Sequence, residues 1–368
     1  MSVCIAGLGW ATPLGSGVPE VWTRLLAGEE AAVAQISDIV SDVSYPAFRV
    51  PESALSNLPR HPRLRRASAI SRFAAAAGLA ALEQARSTIG KIDMQRVALI
   101  FAISNGGVIY TKRFYHDIVA TGAQSASPLL FPETVFNAPA SHLAAIVGSE
   151  GASYTLVGDG AVGILAVKMA EDLLASDALD YCLVVGAEEA DWLLCDAYHR
   201  WRMARPTPPI EPFHSSAKGM ILSEGAGAIL IGRSGQVKIE QTHAGGNYAG
   251  RRQARELVGR VVKELATPDL QLAVASANGT FVDSLEASAF SQFVPDATIY
   301  TVKPALGESV GASAVWQIIV AAEALRTQQL PPLLHVGAEV KRDAAKLQSA
   351  LVSSCGLNQQ VAGMRLSI

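Results

Sequence analysis

Cysteine is scarce in this chain, with four among 368 residues. Cys4, Cys182, Cys195 and Cys355 stand far apart and form no CxxC pair. That spacing argues against a zinc site and against a disulfide framework, and three of the four, in apolar surroundings, read as small core residues. Charge is scarce too: 17% of residues are charged and the net charge is -3. No basic excess is available for phosphates or anionic lipid, so neither nucleic acid nor a membrane surface is an expected partner. No stretch reaches the roughly 20 apolar residues of a membrane span. The opening MSVCIAGLGWATPLG has no basic n-region and no unbroken apolar run, so it does not read as a signal peptide, and the cytoplasm is the expected compartment. No residue pattern calls for a metal or another cofactor.

What is present is apolar. Half of the residues are hydrophobic, enough for a large core in a chain that alternates strand and helix patterns, which predicts an α/β fold. The most informative stretch is 153–190, SYTLVGDGAVGILAVKMAEDLLASDALDYCLVVGAEEA. Tyr154 to Val157 is short, β-branched and aromatic and predicts a strand. Gly158 and Gly160 punctuate a sharp turn. From Ala161 to Ala175 apolar residues lie on nearly every face, the pattern of a buried helix. Asp159 is placed to be its N-cap, and Ser176-Asp177 to close it. Cys182 to Val185 predicts a second buried strand ending at Gly186.

Around this unit, Val3–Gly9 and Val97–Ile103 predict strands, and Val18–Leu26 and about Ser68–Ala85 predict helices. Residues 27–62 show little periodicity and read as mostly loop. The run Arg60, Arg63, Arg65 and Arg66 reads as a solvated loop, the alternative being a landing site for a carrier protein. Asn137-Ala138-Pro139-Ala140 opens a helix to Val147. In the second half Val237–Thr242, Leu272–Ser276 and Thr298–Val302 predict strands, and Arg251–Leu265 and Val310–Arg326 predict helices.

A strand and tight turn that aim a residue at a helix N-terminus suit an activated thiol. The stretch here resembles the nucleophile region of the β-ketoacyl-acyl-carrier-protein synthases of the thiolase superfamily, T-V-x-x-A-C-x-S-G followed by G-A-E. Laying Thr155 on the Thr and Gly163 on the last Gly puts Gly160 at the catalytic cysteine. Gly9-Trp10-Ala11-Thr12-Pro13-Leu14-Gly15 resembles the family's opening. The run Pro212-Phe213-His214 to Glu224-Gly225-Ala226-Gly227 resembles its P-F-D…G-E-G-A-G. Ser276-Ala277-Asn278-Gly279-Thr280 resembles N-A-H-G-T with Asn278 at the histidine. Lys303-Pro304-Ala305-Leu306-Gly307-Glu308 resembles K-S-x-x-G-H with Lys303 retained and Glu308 at the second histidine. Ser353-Ser354-Cys355-Gly356-Leu357 stands where relatives carry N-S-F-G-F, the Gly-rich gate over the cysteine, with Cys355 replacing the gating phenylalanine.

The resemblance implies a thiolase fold, a duplicated five-layered αβαβα unit with one half in 1–234 and the other in 235–368. It also implies lost condensation chemistry. Glycine forms no acyl-enzyme, and an ionised Glu308 opposes a developing oxyanion. Asn278 keeps an amide donor for one, and Lys303 is expected to pair with Glu308. Cys355 lacks a paired histidine, since His61, His116, His142, His199, His214, His243 and His335 all fall off the family's catalytic positions. Inert relatives of this kind are chain-length factors. The implied partners are therefore an active ketosynthase subunit and, through the complex, an acyl carrier protein, with the bacterial aryl-polyene branch as the nearest variety. Phe114, Tyr115, Phe131 and Phe136 then lie in the region that crosses the interface and shapes the acyl tunnel. Two other readings stand beside this one. One is a homodimeric enzyme with altered chemistry, a malonyl-carrier decarboxylase or an acyl hydrolase or transferase using Asp159 or Glu308. The other is a non-catalytic homodimeric acyl-binding or scaffolding protein.

Overall fold

The computed structural model describes residues 3–38, 41–215, 218–336 and 346–368. The first half runs β1 (Val3–Thr12), β2 (Gly15–Ser16), α1 (Val18–Leu26), β3 (Val33–Ser37), β4 (Ser44–Phe48), α2 (Ala69–Ile89), β5 (Val97–Ile103) and α3 (Val108–Thr121). It continues with α4 (Ala138–Val147), β6 (Ser153–Val157), α5 (Val162–Leu174), β7 (Tyr181–Glu188), α6 (Trp192–Arg200), β8 (Leu222–Ser223) and β9 (Gly225–Gly232). The second half contains β10 (Val237–Asn247), α7 (Arg251–Leu265), β11 (Leu272–Val274), α8 (Phe281–Phe293) and β12 (Thr298–Tyr300). The chain then passes through α9 (Lys303–Leu306), α10 (Val310–Thr327), β13 (Ser349–Cys355) and β14 (Gln360–Ser367).

Local pattern explains many of these elements. α1 buries Val18, Val21, Trp22 and Leu25, one helical face, and carries Pro19 in its first turn, where the missing N–H would have had no partner. α7 buries Ala254, Leu257, Val258, Val261, Val262 and Leu265 and turns Arg251, Arg252, Arg255 and Arg260 outward. β5 is buried along its whole length because helices cover both of its faces. α10 is buried from Val310 to Leu325, as a helix in the middle of a layered core must be.

The main sheet has the order β12-β11-β13-β14-β10-β1-β9-β7-β5-β6. Its two halves join where β1 meets β10, antiparallel, with Val3 opposite Ile239. α2 covers β1, β9 and β7 on one outside, and α7 covers β10, β13 and β14 on the other, with α8 packed against α7. α5 and α10 lie between the halves against each other and against strands of both. The result is the expected five-layer αβαβα stack. Among the described residues β6 is the last strand on its side, paired only with β5.

Several expectations need correction. Residues 27–62 are not mostly loop: β3 and β4 pair there, and β4 continues parallel to β8. The β8 partner of β4 lies far along the chain, which periodicity within the stretch does not report. α2 runs on to Ile89 and ends at Gly90, whose φ of 81° stops it. β11 and β12 are three residues each, shorter than expected. Asp159 is not the N-cap of α5. Ala161 occupies that position without a side-chain cap bond, and α5 ends at Leu174, before Ser176. The run Arg60, Arg63, Arg65 and Arg66 is exposed.

Candidate functional site

Four segments converge between the halves: the β6–α5 turn with Asp159 and Gly160, the chain after β11, the α9–α10 junction, and the β13–β14 turn. They line a small cavity bounded by Asp159, Gly160, Ser276, Lys303, Glu308 and Cys355. Its volume is about 10 Å³, room for a single water at most.

Glu308 is the centre of this cavity's polar wall. Its Oε1 accepts hydrogen bonds from Lys303 Nζ at 2.6 Å and Ser313 Oγ at 2.7 Å. Its Oε2 accepts one from Asn278 Nδ2 at 2.6 Å. The backbone holds Glu308 in place, because its N–H donates to Ile221 and its carbonyl accepts from Ser223 N. Lys303 is 1% exposed. Burial pushes its pKa below the usual lysine value, and the Glu308 carboxylate opposes that shift. Asn278 is fixed from its other side by Thr280, whose Oγ1 donates to Asn278 Oδ1 at 2.7 Å. The amide expected to be free for an oxyanion is therefore aimed at a carboxylate instead.

Asp159 performs a task that its sequence neighbours do not indicate. Its carboxylate accepts backbone hydrogen bonds from Leu357 at 3.2 Å, Asn358 at 2.8 Å and Gln359 at 2.9 Å. In return Gln360 Oε1 accepts from Asp159 N at 2.9 Å. Tyr248 adds a hydroxyl bond to the Gly356 carbonyl at 2.5 Å and a backbone bond to Gln359. The β13–β14 turn is thus strapped onto the β6–α5 turn. Two glycines make this approach possible: a Cβ at Gly160 would lie 3.2 Å from Gly356 Cα, and a Cβ at Gly356 would overlap the Asp159 carboxylate. Sequence reading found Asp159 but gave it a local partner, since nothing local signals a partner about 200 positions away.

Cys355 lies beneath that turn. Its N–H donates to Ser276 Oγ at 2.9 Å, and Ser276 Oγ in turn donates to Glu286 Oε1 at 2.8 Å. Burial, reinforced by the charges of Glu286 and Asp159, pushes the Cys355 thiol well above its ordinary pKa. A thiol held protonated in this way is a poor nucleophile. Glu286 is a buried carboxylate that sequence reading passed over, and burial raises it to about 7.

The four aromatics of 110–136 are not in this cavity. Phe114 and Phe131 meet at 5.6 Å between ring centroids, and Tyr115, Phe131 and Phe136 are exposed at 67%, 55% and 46%. Phe136 lies beside Gly106 at the end of β5. From there Ser104 and Asn105 lead inward through backbone bonds to Glu188, which also accepts from Gly311 N at the start of α10. A short path of bonded groups therefore connects the aromatic region to the α10 end of the cavity.

Among the described residues no group of three or more His, Cys, Asp or Glu side chains is arranged to hold a metal ion, and no helix is long and apolar enough to cross a membrane.

Residues 1–236 match the family "Beta-ketoacyl synthase, N-terminal domain" and residues 235–337 match "Beta-ketoacyl synthase, C-terminal domain". The chain is 21% identical to 3-oxoacyl-[acyl-carrier-protein] synthase 2 of Vibrio cholerae over 91% of this chain and 88% of that protein. It is 25% identical to Nodulation protein E of a Rhizobium species over 62% of this chain, a match spanning 57% of that protein's length. Among solved structures it is similar to the ishigamide ketosynthase/chain length factor, with a TM-score of 0.85 at 18% identity over 100% of this chain and 98% of that one. It is also similar to the ketosynthase ApeO in complex with its chain length factor ApeC from Xenorhabdus doucetiae, with a TM-score of 0.80 at 17% identity over 100% and 98%. With both halves matched in order and the thiolase-like stack observed, the chain belongs to the β-ketoacyl synthase family.

Proposed function

We propose that this chain is a non-condensing ketosynthase-like subunit, a chain-length factor, which pairs with an active β-ketoacyl synthase and bounds the acyl chain growing there. The observation that carries the reading is the Lys303–Glu308–Asn278 network facing Gly160. Condensation needs a thiolate to hold the acyl group and uncommitted donors to stabilise the enolate formed as malonyl loses carbon dioxide. Gly160 has no side chain, and the amide of Asn278 and the ammonium of Lys303 are turned onto Glu308. A cavity of about 10 Å³ has no room for an acyl chain. The carboxylates that altered chemistry would require are also engaged, Asp159 by three backbone N–H groups and Glu308 by three side-chain donors.

Support for a partner comes from the surface. α3 buries none of its residues, although it contains Val108, Ile109, Tyr110, Phe114, Tyr115, Ile118 and Val119. Leu129, Phe131, Val135, Phe136 and, on the edge strand β6, Tyr154 and Val157 are exposed as well. An open sheet edge and exposed apolar side chains of this kind invite pairing with another chain. The occupant favoured is a ketosynthase of the same fold, the arrangement described for the similar ishigamide and ApeO–ApeC pairs. The carrier protein would then deliver to the active subunit, and the aryl-polyene branch remains the favoured variety.

The test is co-expression with a ketosynthase encoded beside this chain, followed by light scattering and condensation assays on separate and mixed subunits. A one-to-one complex is expected, active only when both chains are present and silenced by changing the partner's cysteine. In that complex Phe131→Ala is expected to shift products toward longer chains. A homodimer that turns over malonyl-carrier unaided would overturn the proposal.

A further inference from the structure

From Val108 to Asn137 a single residue is buried, and it is a carboxylate: Glu133, 5% exposed. A projecting arm with a dozen apolar side chains would ordinarily be anchored by one of them. This arm leaves half of them exposed and the others only partly covered, and the one side chain it buries fully is polar.

Glu133 reaches two other elements. Its Oε1 lies 2.6 Å from His142 Nε2 on α4, and its Oε2 accepts from Ser68 N at 3.0 Å, at the start of α2. Ser68 Oγ is in turn hydrogen-bonded to Ser71 Oγ at 2.7 Å. Ser68 is the N-cap residue of α2 and makes no side-chain cap bond there, so the arm's carboxylate supplies a negative charge at the positive end of that helix. Burial alone would raise the Glu133 pKa, yet the bonds from His142 and Ser68 outweigh it and hold the group below the usual carboxylate range. The backbone is seated as closely as the side chain. A Cβ at Gly107 would overlap the Glu133 carbonyl, and Thr111 Oγ1 donates to the carbonyls of Gly107 and Thr134.

We infer that Glu133 is a positioning residue for partner binding: it fixes the arm on α2 and α4 so that Phe131 and Phe136 are presented in one preset arrangement. This rests on the partner-binding reading above. A polar anchor leaves the aromatic surface free for the partner, whereas an apolar anchor would consume it. A preset arm also spares the complex the ordering cost of a loose one.

Two measurements separate the anchor from the partner reading. Amide hydrogen exchange over residues 123–137 is read first in the isolated chain, then affinity for the co-expressed ketosynthase. Glu133→Ala is expected to raise exchange across the arm by tenfold or more, leave exchange in β5 and α10 unchanged, and weaken the complex by at least tenfold. Glu133→Gln, which keeps an acceptor for Ser68 N, should retain part of both. Phe131→Ala should weaken the complex while the arm stays protected. Unchanged exchange in Glu133→Ala would overturn the anchoring. Raised exchange with unchanged affinity would overturn its service to binding. A wild-type chain that binds no ketosynthase would sink the partner reading and the role assigned here in binding, while the exchange result would still decide the anchoring by itself.

Discussion

Glu308→Ala is expected to destabilise the protein by about 3–5 kcal/mol, the usual consequence of removing one member of a buried ion pair. The change strands the Lys303 ammonium, which is 1% exposed, and removes the acceptor for Asn278 and Ser313. Urea unfolding should show the loss as a lower midpoint. The double change Lys303→Met with Glu308→Leu should recover most of it, because two apolar side chains of similar volume remove the charge and its partner together. Recovery should fall short of completion, since Asn278 still lacks an acceptor. A second readout separates charge from packing. The donors left by Glu308→Ala form a carboxylate-shaped site, so formate should raise the midpoint of this variant by mass action where equal chloride does not. The double variant, having lost the ammonium, should ignore formate. A Glu308→Ala protein as stable as wild type would show that the network contributes nothing to the fold.

Asp159→Ala is expected to cost about 2–3 kcal/mol and to release the β13–β14 turn. Of the donors it would abandon, Leu357 N belongs to a buried residue, while Asn358 and Gln359 are exposed and can turn to water. That division keeps the loss below what three charge-assisted bonds would otherwise suggest. The sharper readout is local. Cys355 is 4% exposed beneath the turn, so its alkylation should accelerate by tenfold or more in the variant. Cys4, Cys182 and Cys195, also buried, serve as internal controls. Asp159→Asn keeps one acceptor and should fall between. If alkylation of Cys355 and amide exchange at 357–359 both match wild type, the strap is not what closes the turn.

These two residues also show how differently parts of the site can be read from sequence. Gly160, Asn278, Lys303 and Glu308 were legible because each sits inside a short motif whose spacing resembles the family's, and the fold brings the four together. The Lys303–Glu308 pair was legible for a second reason: five positions apart around a tight α9–α10 junction, two opposite charges in an apolar context have few other partners. Asp159 was misread because two local rules, a carboxylate before a helix and a glycine turn, pointed to a cap. The stronger competitor was a row of backbone N–H groups about 200 residues away. Glu133 was not singled out at all, since one glutamate beside a proline in an otherwise apolar stretch looks like a residue turned out to solvent.

The sequence by itself determined the alternating α/β pattern and the bounds of α1, β5, α4 and α7. It also determined the absence of a side chain at 160 and the carboxylate at 308. These depend on periodicity, on caps and on residue identity, all of which are local. Only the tertiary structure decided that β4 pairs with β8, that Asp159 straps the β13–β14 turn, that Asn278 spends its amide on Glu308, and that the arm from Val108 to Asn137 is seated on a buried Glu133. Each of these is set by which distant backbone or charge the folded layers bring within about 3 Å, and no local pattern encodes that meeting.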